Sequence, residues 1–374
     1  MHQMLIVKGE IKMNSIKQIE VIYHNRLVGR LALTQDRLCA FEYSAEWLQS
    51  GFSISPFELP LRSGVFVAKP RPFDGGFGVF DDCLPDGWGL LILDRYLQRQ
   101  GINPKVLTLL DKLALVGATG RGALEFRPDK SVVAKQEYAD FEKLALEAEQ
   151  ILDSDDYIGE GIDEFQHRGG SPGGARPKIF TRYEGKEWLV KFRATRDPKR
   201  IGIDEYEYSV LAKKCGIEMP ETRLFEGKYF GVERFDRAAD GKLHVVSVAG
   251  LIGADYRIPS IDYTHIFQVC AALTHSMAEL SKVYRLMVFN FLIANKDDHA
   301  KNFAFIYRDE DWHFAPAYDL LPSDGMNGFH TTSINDNIEP AQNDLIAVAV
   351  RAGLSKKDAE EIFEQIKEIV LKHN

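Results

Sequence analysis

The chain has 374 residues, long for one hydrophobic core, and at roughly 150 residues per domain it suggests two or three units. Hydrophobic residues make up 45% and charged residues 27%, the balance of a globular protein with ample core material. A formal net charge of -9 argues against direct nucleic-acid binding, which needs clustered Lys and Arg.

The opening "MHQMLIVKGEIKMNS" has no basic stretch followed by a long apolar one, so it does not read as a secretory signal; Met13 is an alternative start. Cys39, Cys83, Cys215 and Cys270 form no Cys-x-x-Cys pair, which argues against a zinc knuckle or redox motif and suits small buried thiols in a reducing compartment. The most apolar helical stretch, "KVYRLMVFNFLIANKDD", is broken by Arg285 and Asn290 and is too short to span a bilayer. These features together predict a cytoplasmic protein with no membrane contact.

Residues 17–125 read as a β-rich unit. "IEVIYHNRLVGRLAL" predicts two strands joined at His24-Asn25. Within "FDDCLPDGWGLLILDRYLQRQG", Pro85-Asp86 opens a helix with Leu90, Leu93 and Leu97 on one face and Gly101 as its stop. "KSVVAKQEYADFEKLALEAEQILD" reads as helix throughout.

The second unit, 126–243, carries a loop rich in glycine, "GGSPGGARPK". Its glycines, Gly173 and Gly174 among them, let backbone N–H groups approach phosphates, although such clusters are more often plain loops. The Gly-Lys-Ser/Thr ending of a Walker A loop is missing. Lys178 either reaches a phosphate or lies on the surface. "IFTRYEGKEWLVKF" predicts a hairpin turning near Glu184-Gly185, with Lys191 near the end of its second strand. A lysine there needs a partner: a phosphate, Glu205 on the following helix, or both. Snorkelling to solvent is the plainer alternative. That helix runs to Gly216, with Tyr208, Leu211, Ala212 and Cys215 at helical spacing. A second hairpin turns at Gly227, and "GVERFDR" leads from it into an extended linker.

The third unit, 244–374, reads as mostly helical, and its last helix is capped by Ser355 and buries Ile362, Phe363, Ile366 and Val370. It holds an acidic cluster. Asp297 is followed five residues later by Asn302; "FAFIY" and "WHFAP" then form a hairpin, and Asp319 lies just beyond. That is the spacing by which protein kinases place a catalytic Asp, a metal-binding Asn and a second metal-binding Asp. Asp297 would accept a hydroxyl proton, and the oxygens of Asn302 and Asp319 are hard donors suited to Mg²⁺. A solvated polar turn is the plain alternative. His299 either touches a phosphate or braces the loop, and Asp298 reads as merely polar.

The segments "SPGGARPK", "WLVKF", "DEYEYSVLAKKCGIEMPE", "VERFDR", "FNFLIANKDDHAKNFAF", "FAPAYDL" and, earlier, "FDDCLPDGW" together resemble the HipA family of bacterial toxin kinases, over most of the chain from Ile19 to Asp344. The resemblance implies an α+β, two-lobed protein-kinase-like fold of the phosphoinositide-kinase-like variant, with an N-terminal β-rich subdomain and a mostly helical C-terminal lobe. It implies ATP and Mg²⁺ as cofactors. Asp297 would be the base, Asn302 and Asp319 the metal ligands, and Lys191 a phosphate contact. The backbones of Glu233 and Phe235 would meet adenine, and Ser171 would be an autophosphorylation site in the phosphate loop. The family's best-studied activity is phosphorylation of an aminoacyl-tRNA synthetase, notably the glutamyl enzyme. Its usual partner is a small helix-turn-helix antitoxin, through which DNA is met only indirectly. The loop departs from the Ala-Gly-Ala-Gln-Glu-Lys of some members, and the chain beyond Asp319 is short. Three other readings remain open: a catalytically weak scaffold that docks an antitoxin, a small-molecule or lipid kinase, and a metal-dependent hydrolase using Asp297, Asp298, His299 and Asp319. The hydrolase leaves the glycine-rich loop and Lys191 without a role.

Overall fold

The computed structural model of the chain describes residues 16–132, 139–154, 157, 159–169, 173–325 and 327–373. Its N-terminal region is built on strands β1 (Gln18–Tyr23), β2 (Arg26–Leu33), β3 (Cys39–Tyr43), β4 (Val65–Val67) and β5 (Leu124–Arg127). They form one antiparallel sheet in the order β4-β3-β2-β1-β5. The first hairpin turns where it was expected: His24 and Asn25 both take the left-handed backbone, at φ 45° and 62°. Helices α1 (Ala45–Ser50), α2 (Gly78–Asp81), α3 (Gly87–Arg99) and α4 (Leu109–Val116) interrupt the strands. The region therefore holds much more helix than a β-rich reading implies. On α3, Leu93 and Leu97 are buried with Trp88 and Ile92, while Leu90 is only partly covered.

Helices α5 (Phe141–Asp153) and α6 (Gly161–Gly169) follow. The helix expected from Lys130 starts only at Phe141, where Asp140 caps it by accepting from the Lys143 amide at 3.0 Å; Lys130 to Val132 are not helical, and 133–138 lie outside the described residues. Strands β6 (Lys178–Tyr183), β7 (Lys186–Lys191), β8 (Thr222–Phe225) and β9 (Tyr229–Glu233) form a sheet in the order β6-β7-β9-β8, and α7 (Ile201–Lys214) connects its two hairpins. One face of this sheet packs on α3, α5 and α6 through Trp88, Phe141, Phe165, Val190 and Phe225.

The short pair β10 (Arg237–Ala238) and β11 (Gly241–Lys242) leads to β12 (His244–Ser247), α8 (Val248–Ile252), β13 (Ile261–Asp262), α9 (Tyr263–Thr274) and α10 (Met277–Leu292). The expected hairpin is β14 (Ala304–Arg308) with β15 (Asp311–Phe314), which joins β12 in a three-stranded sheet. Strand β16 (Thr332–Ser333) runs parallel to β13, and α11 (Gln342–Arg351) and α12 (Lys356–Leu371) close the chain. Ser355 caps α12 by accepting from the Asp358 amide at 3.0 Å, as its position predicted.

The largest core is shared. Ile19, Phe41 and Phe80 of the N-terminal region are buried in one cluster with Val246, Tyr263 and Phe289. Close approach at α2 and α8 makes this possible: a Cβ on Gly78 would sit 2.4 Å from the Gly250 carbonyl oxygen, so only glycine fits. None of the helices among the described residues is long and apolar enough to cross a membrane.

Candidate active site

A cleft of about 380 Å³ opens between the β6–β9 sheet and the helical part, within the size range of small-molecule sites. Gly173, Gly174, Lys178, Lys191, Glu233, Phe235, His299, Asn302 and Asp319 all line it. Asp297 is exposed and is not among the lining residues. Ser171 lies outside the described residues.

Lys178 and Lys191 are paired across β6 and β7, so the sheet's register puts both on the cleft. Lys178 is buried, not a surface lysine. Burial, with Lys191 beside it, pulls its pKa down to about 8. The Lys178 ammonium donates to the Gly173 carbonyl. Lys191 donates to Glu205 on α7 and, at 2.8 Å, to Oδ1 of Asp319. Burial works against its charge, but Asp319 and Glu205 more than offset this and hold the ammonium well above the ordinary lysine range. The Lys191 charge, in turn, keeps Asp319 well below the usual carboxylate range despite its burial. Burial pushes Glu205 upward, with Lys191 opposing it.

The loop after α10 is braced from several sides. Ser323 Oγ accepts from the amides of Lys296 at 3.0 Å and Asp297 at 2.8 Å. Asn302 donates its Nδ2 to the Asp297 carbonyl at 2.7 Å, which turns Oδ1, the metal-binding type of atom, away from the loop. His299 accepts from the Lys301 amide at 3.3 Å and caps the 3₁₀ turn Ala300–Asn302; it therefore braces the loop and lines the cleft at once. Partial burial raises the Asp297 pKa; nearby His299 opposes the shift, and Asp319 and Asp298 add to it.

Asp298 is not merely polar. It is fully buried and accepts from the amides of Thr331 at 3.1 Å and Thr332 at 3.2 Å, from the Tyr263 hydroxyl at 3.2 Å, and lies 3.0 Å from His330 Nδ1. Asn290 and Asn295 extend the network: Asn290 donates to Tyr263, and Asn295 to Asn290 and to the Asp319 carbonyl. Asp319 itself has φ 60°, a left-handed backbone that Asp tolerates better than most residues.

The lining also includes the apolar residues Phe180, Leu189, Met219, Val232 and Leu320. Phe235 stacks on Tyr318, with centroids 5.9 Å apart. The Glu233 amide is committed to the Glu221 carbonyl at 2.8 Å, and its side chain to Lys186 at 2.6 Å. Beyond it, Arg234 and Arg237 hold buried Asp236, and Asp236 accepts from the Gly122 amide at 2.8 Å. Burial alone would raise Asp236; the two guanidiniums overcome that and hold it far below the usual carboxylate range.

Arg121, Tyr318, Lys301, Asp81 and Asp86 received no role in the site from the sequence. Arg121 donates to the Tyr318 hydroxyl at 3.0 Å, and Tyr318 donates to the Lys301 carbonyl at 2.6 Å. Lys301 pairs with Asp81 at 3.2 Å and Asp86 at 3.0 Å. The quoted segment "FDDCLPDGW" was the available signal, but nothing local shows that it reaches the cleft.

Comparison with known proteins agrees along the chain. The family profile described as HipA-like C-terminal domain matches residues 170–373, and that described as HipA N-terminal domain matches residues 19–127. The protein named "Putative kinase Y4dM" from Sinorhizobium fredii is 25% identical over 92% of this chain and 88% of its own. "Serine/threonine-protein kinase toxin HipA" from Shewanella oneidensis is 23% identical over 88% of this chain and 81% of its own. A chain in the solved Shewanella oneidensis MR-1 complex of HipA, HipB and operator DNA superimposes with a TM-score of 0.70 at 19% identity, covering 95% of this chain and 89% of that one. At that identity the superposition speaks for the fold.

Proposed function

Because this chain belongs to the HipA family, we propose that it is an ATP-dependent serine/threonine protein kinase and the toxin of a toxin–antitoxin module. The observation that carries the reading is the convergence of Lys191 from the β6–β9 sheet with Asn302 and Asp319, from either side of the β14–β15 hairpin, on one cleft lined by both charged and apolar side chains. Phosphoryl transfer asks the protein mainly for positioning and charge, and those are the groups it uses. The accompanying architecture is a two-lobed kinase-like fold of the phosphoinositide-kinase-like variant, with units at 17–125, 126–243 and 244–374.

The donor set fits magnesium. Asn302 has its amide nitrogen anchored, so its oxygen is the atom left to bind. Lys191 takes Oδ1 of Asp319, whose depressed pKa keeps it a carboxylate, and Oδ2 is left over. Asn302 and Asp319 would hold Mg²⁺, which would supply positive charge to offset that of the phosphates. Lys191 and Lys178 supply positive charge at the phosphate end. The Glu233 carbonyl and the Phe235 amide are assigned to the adenine edge, with Phe180, Leu189 and Met219 around the ring. Gly173 and Gly174 border the phosphates, and His299 is assigned a phosphate contact beside its bracing role. Asp297, exposed where a protein hydroxyl can approach, accepts that hydroxyl's proton.

Ser171 is the proposed autophosphorylation site, where a phosphate would add nearly two negative charges and repel the phosphates of ATP. A small helix-turn-helix antitoxin is the proposed partner. It would bring the chain to DNA indirectly, supplying the positive face that a chain of net charge -9 lacks. The proposed substrate is a translation component such as a glutamyl-type aminoacyl-tRNA synthetase, and the proposed compartment is the cytoplasm.

The test is intact mass with phosphosite mapping after incubation with Mg-ATP, beside Asp297→Asn. A phosphate on Ser171 in the parent and none in the variant supports both the kinase and its base. Failure of the parent to bind ATP and to transfer phosphate to itself or to the synthetase rejects the reading.

A further inference from the structure

The N-terminal region reaches into the cleft through Asp86. This residue stands at the N-cap of α3, where an aspartate ordinarily accepts from the first-turn amides of its own helix. Asp86 makes no such bond. Its Oδ1 accepts from the Gly174 amide at 2.5 Å, and its Oδ2 pairs with the Lys301 ammonium at 3.0 Å. The Trp88 amide donates to the Gly174 carbonyl at 3.0 Å, so three consecutive residues hold both backbone groups of Gly174. Between them Gly87 has φ 46°, and a Cβ there would sit 2.5 Å from the Gly174 oxygen. The Asp86 side chain is only 21% exposed. One carboxylate thus ties the glycine-rich loop, 88 residues away, to the catalytic-loop lysine, 215 residues away.

We propose that Asp86 is a positioning residue of the phosphate site: its carboxylate, with the Trp88 amide, fixes the glycine-rich loop at Gly174 against Lys301 before nucleotide arrives. This rests on the kinase reading above. A loop already held in place does not add its ordering cost to ATP binding. Lys301 stays in place through Asp81 and by lying 4.0 Å over the Tyr256 ring, so loss of the Asp86 charge chiefly releases the loop.

Asp86→Asn keeps the shape but offers one acceptor oxygen where two donors converge, so its NH₂ faces either the Gly174 amide or the Lys301 ammonium and one charge-assisted bond is lost, which sets the expected effect at about tenfold. KM and Kd for Mg-ATP should rise by about that factor, while kcat at saturating ATP changes by less than about threefold. In the nucleotide-free full chain, amides between Gly173 and Lys178 should exchange hydrogen about tenfold faster, with α12 unchanged. Gly87→Ala pushes Gly174 away without touching the carboxylate and should reproduce both changes; it also carries the test if Asp86→Asn does not fold. A fall in the ATP KM would make Asp86 a competing anion and overturn the proposal. A lower kcat at unchanged KM would overturn it too, as the mark of a general folding defect or of direct chemistry. The exchange arm separates the two readings. Unaltered exchange at 173–178 in the variants sinks the clamp, whereas faster exchange in the variants of a parent that transfers no phosphate upholds the clamp and rejects the kinase.

Discussion

Replacing Asp298 tests whether the loop carrying Asp297 is held by a buried carboxylate. The side chain is fully buried, and its two oxygens serve the Thr331 and Thr332 amides on one side and the Tyr263 hydroxyl and His330 on the other. Asp298→Ala leaves these groups without their acceptor. A buried unsatisfied donor costs about 1–3 kcal/mol, so the two amides alone set a loss of about 4 kcal/mol. Asp298→Asn is expected to be far milder. Its amide oxygen keeps both backbone donors, and its NH₂ faces Tyr263 and His330, whose ring nitrogen accepts in the other tautomer. The expected cost is about 1–2 kcal/mol. Urea unfolding followed by circular dichroism measures both, from the shift in midpoint at unchanged slope. Phosphate transfer in the alanine variant should fall by about 100-fold even where it remains folded, because the base proposed at Asp297 would be misplaced. Equal costs below about 1 kcal/mol for both substitutions would refute the reasoning and return Asp298 to a solvated turn.

Lys191→Met removes the cation shared by Glu205 and Asp319; transfer of phosphate should fall by at least about 100-fold, read in a radiolabel assay, and ATP binding should weaken in a titration. Asp236→Asn removes the charge between Arg234 and Arg237 and should cost about 3 kcal/mol in urea unfolding, because two buried guanidiniums lose their main counter-charge. His244 is buried, and burial lowers its pKa from 6.5 to about 4. The unfolded chain therefore binds a proton between these values that the folded chain does not. Stability is full above about pH 6.5 and falls as pH drops toward 4, by up to about 3 kcal/mol from this group. His244→Gln should flatten that part of the pH–stability curve, and an unchanged slope would remove His244 as its source.

Much of the local structure was legible. The hairpin turns at His24-Asn25, Glu184-Gly185 and Gly227 were readable because a left-handed turn selects its residues locally: φ is 62° at Asn25, 79° at Gly185 and 70° at Gly227. The cap at Ser355 and the stop at Gly216 follow the same logic. The span from Asp297 to Asn302 was readable because both residues share one loop, and there Asn302 bonds the Asp297 carbonyl. The helix start at Phe141 lies later than the apolar pattern suggested: Asp129 and Ser131 beside Lys130 are equally good caps by type, and only the structure shows that Asp140 is the one used.

What depended on tertiary structure is the meaning of the charged residues. Lys191 meets Asp319 across 128 residues, and Asp86 meets Lys301 across 215. Asp298 reads as a loop aspartate beside Asp297, and only the return of Thr331 and Thr332 reveals it as a buried anchor. Turns, caps and amphipathic faces are set by backbone sterics and periodic burial within a few residues, so spacing encodes them. Long-range ion pairs are set by how the N-terminal sheet and the helical region bury one shared core, and nothing in the local spacing of Asp86 or Asp298 records which partner that packing brings to it.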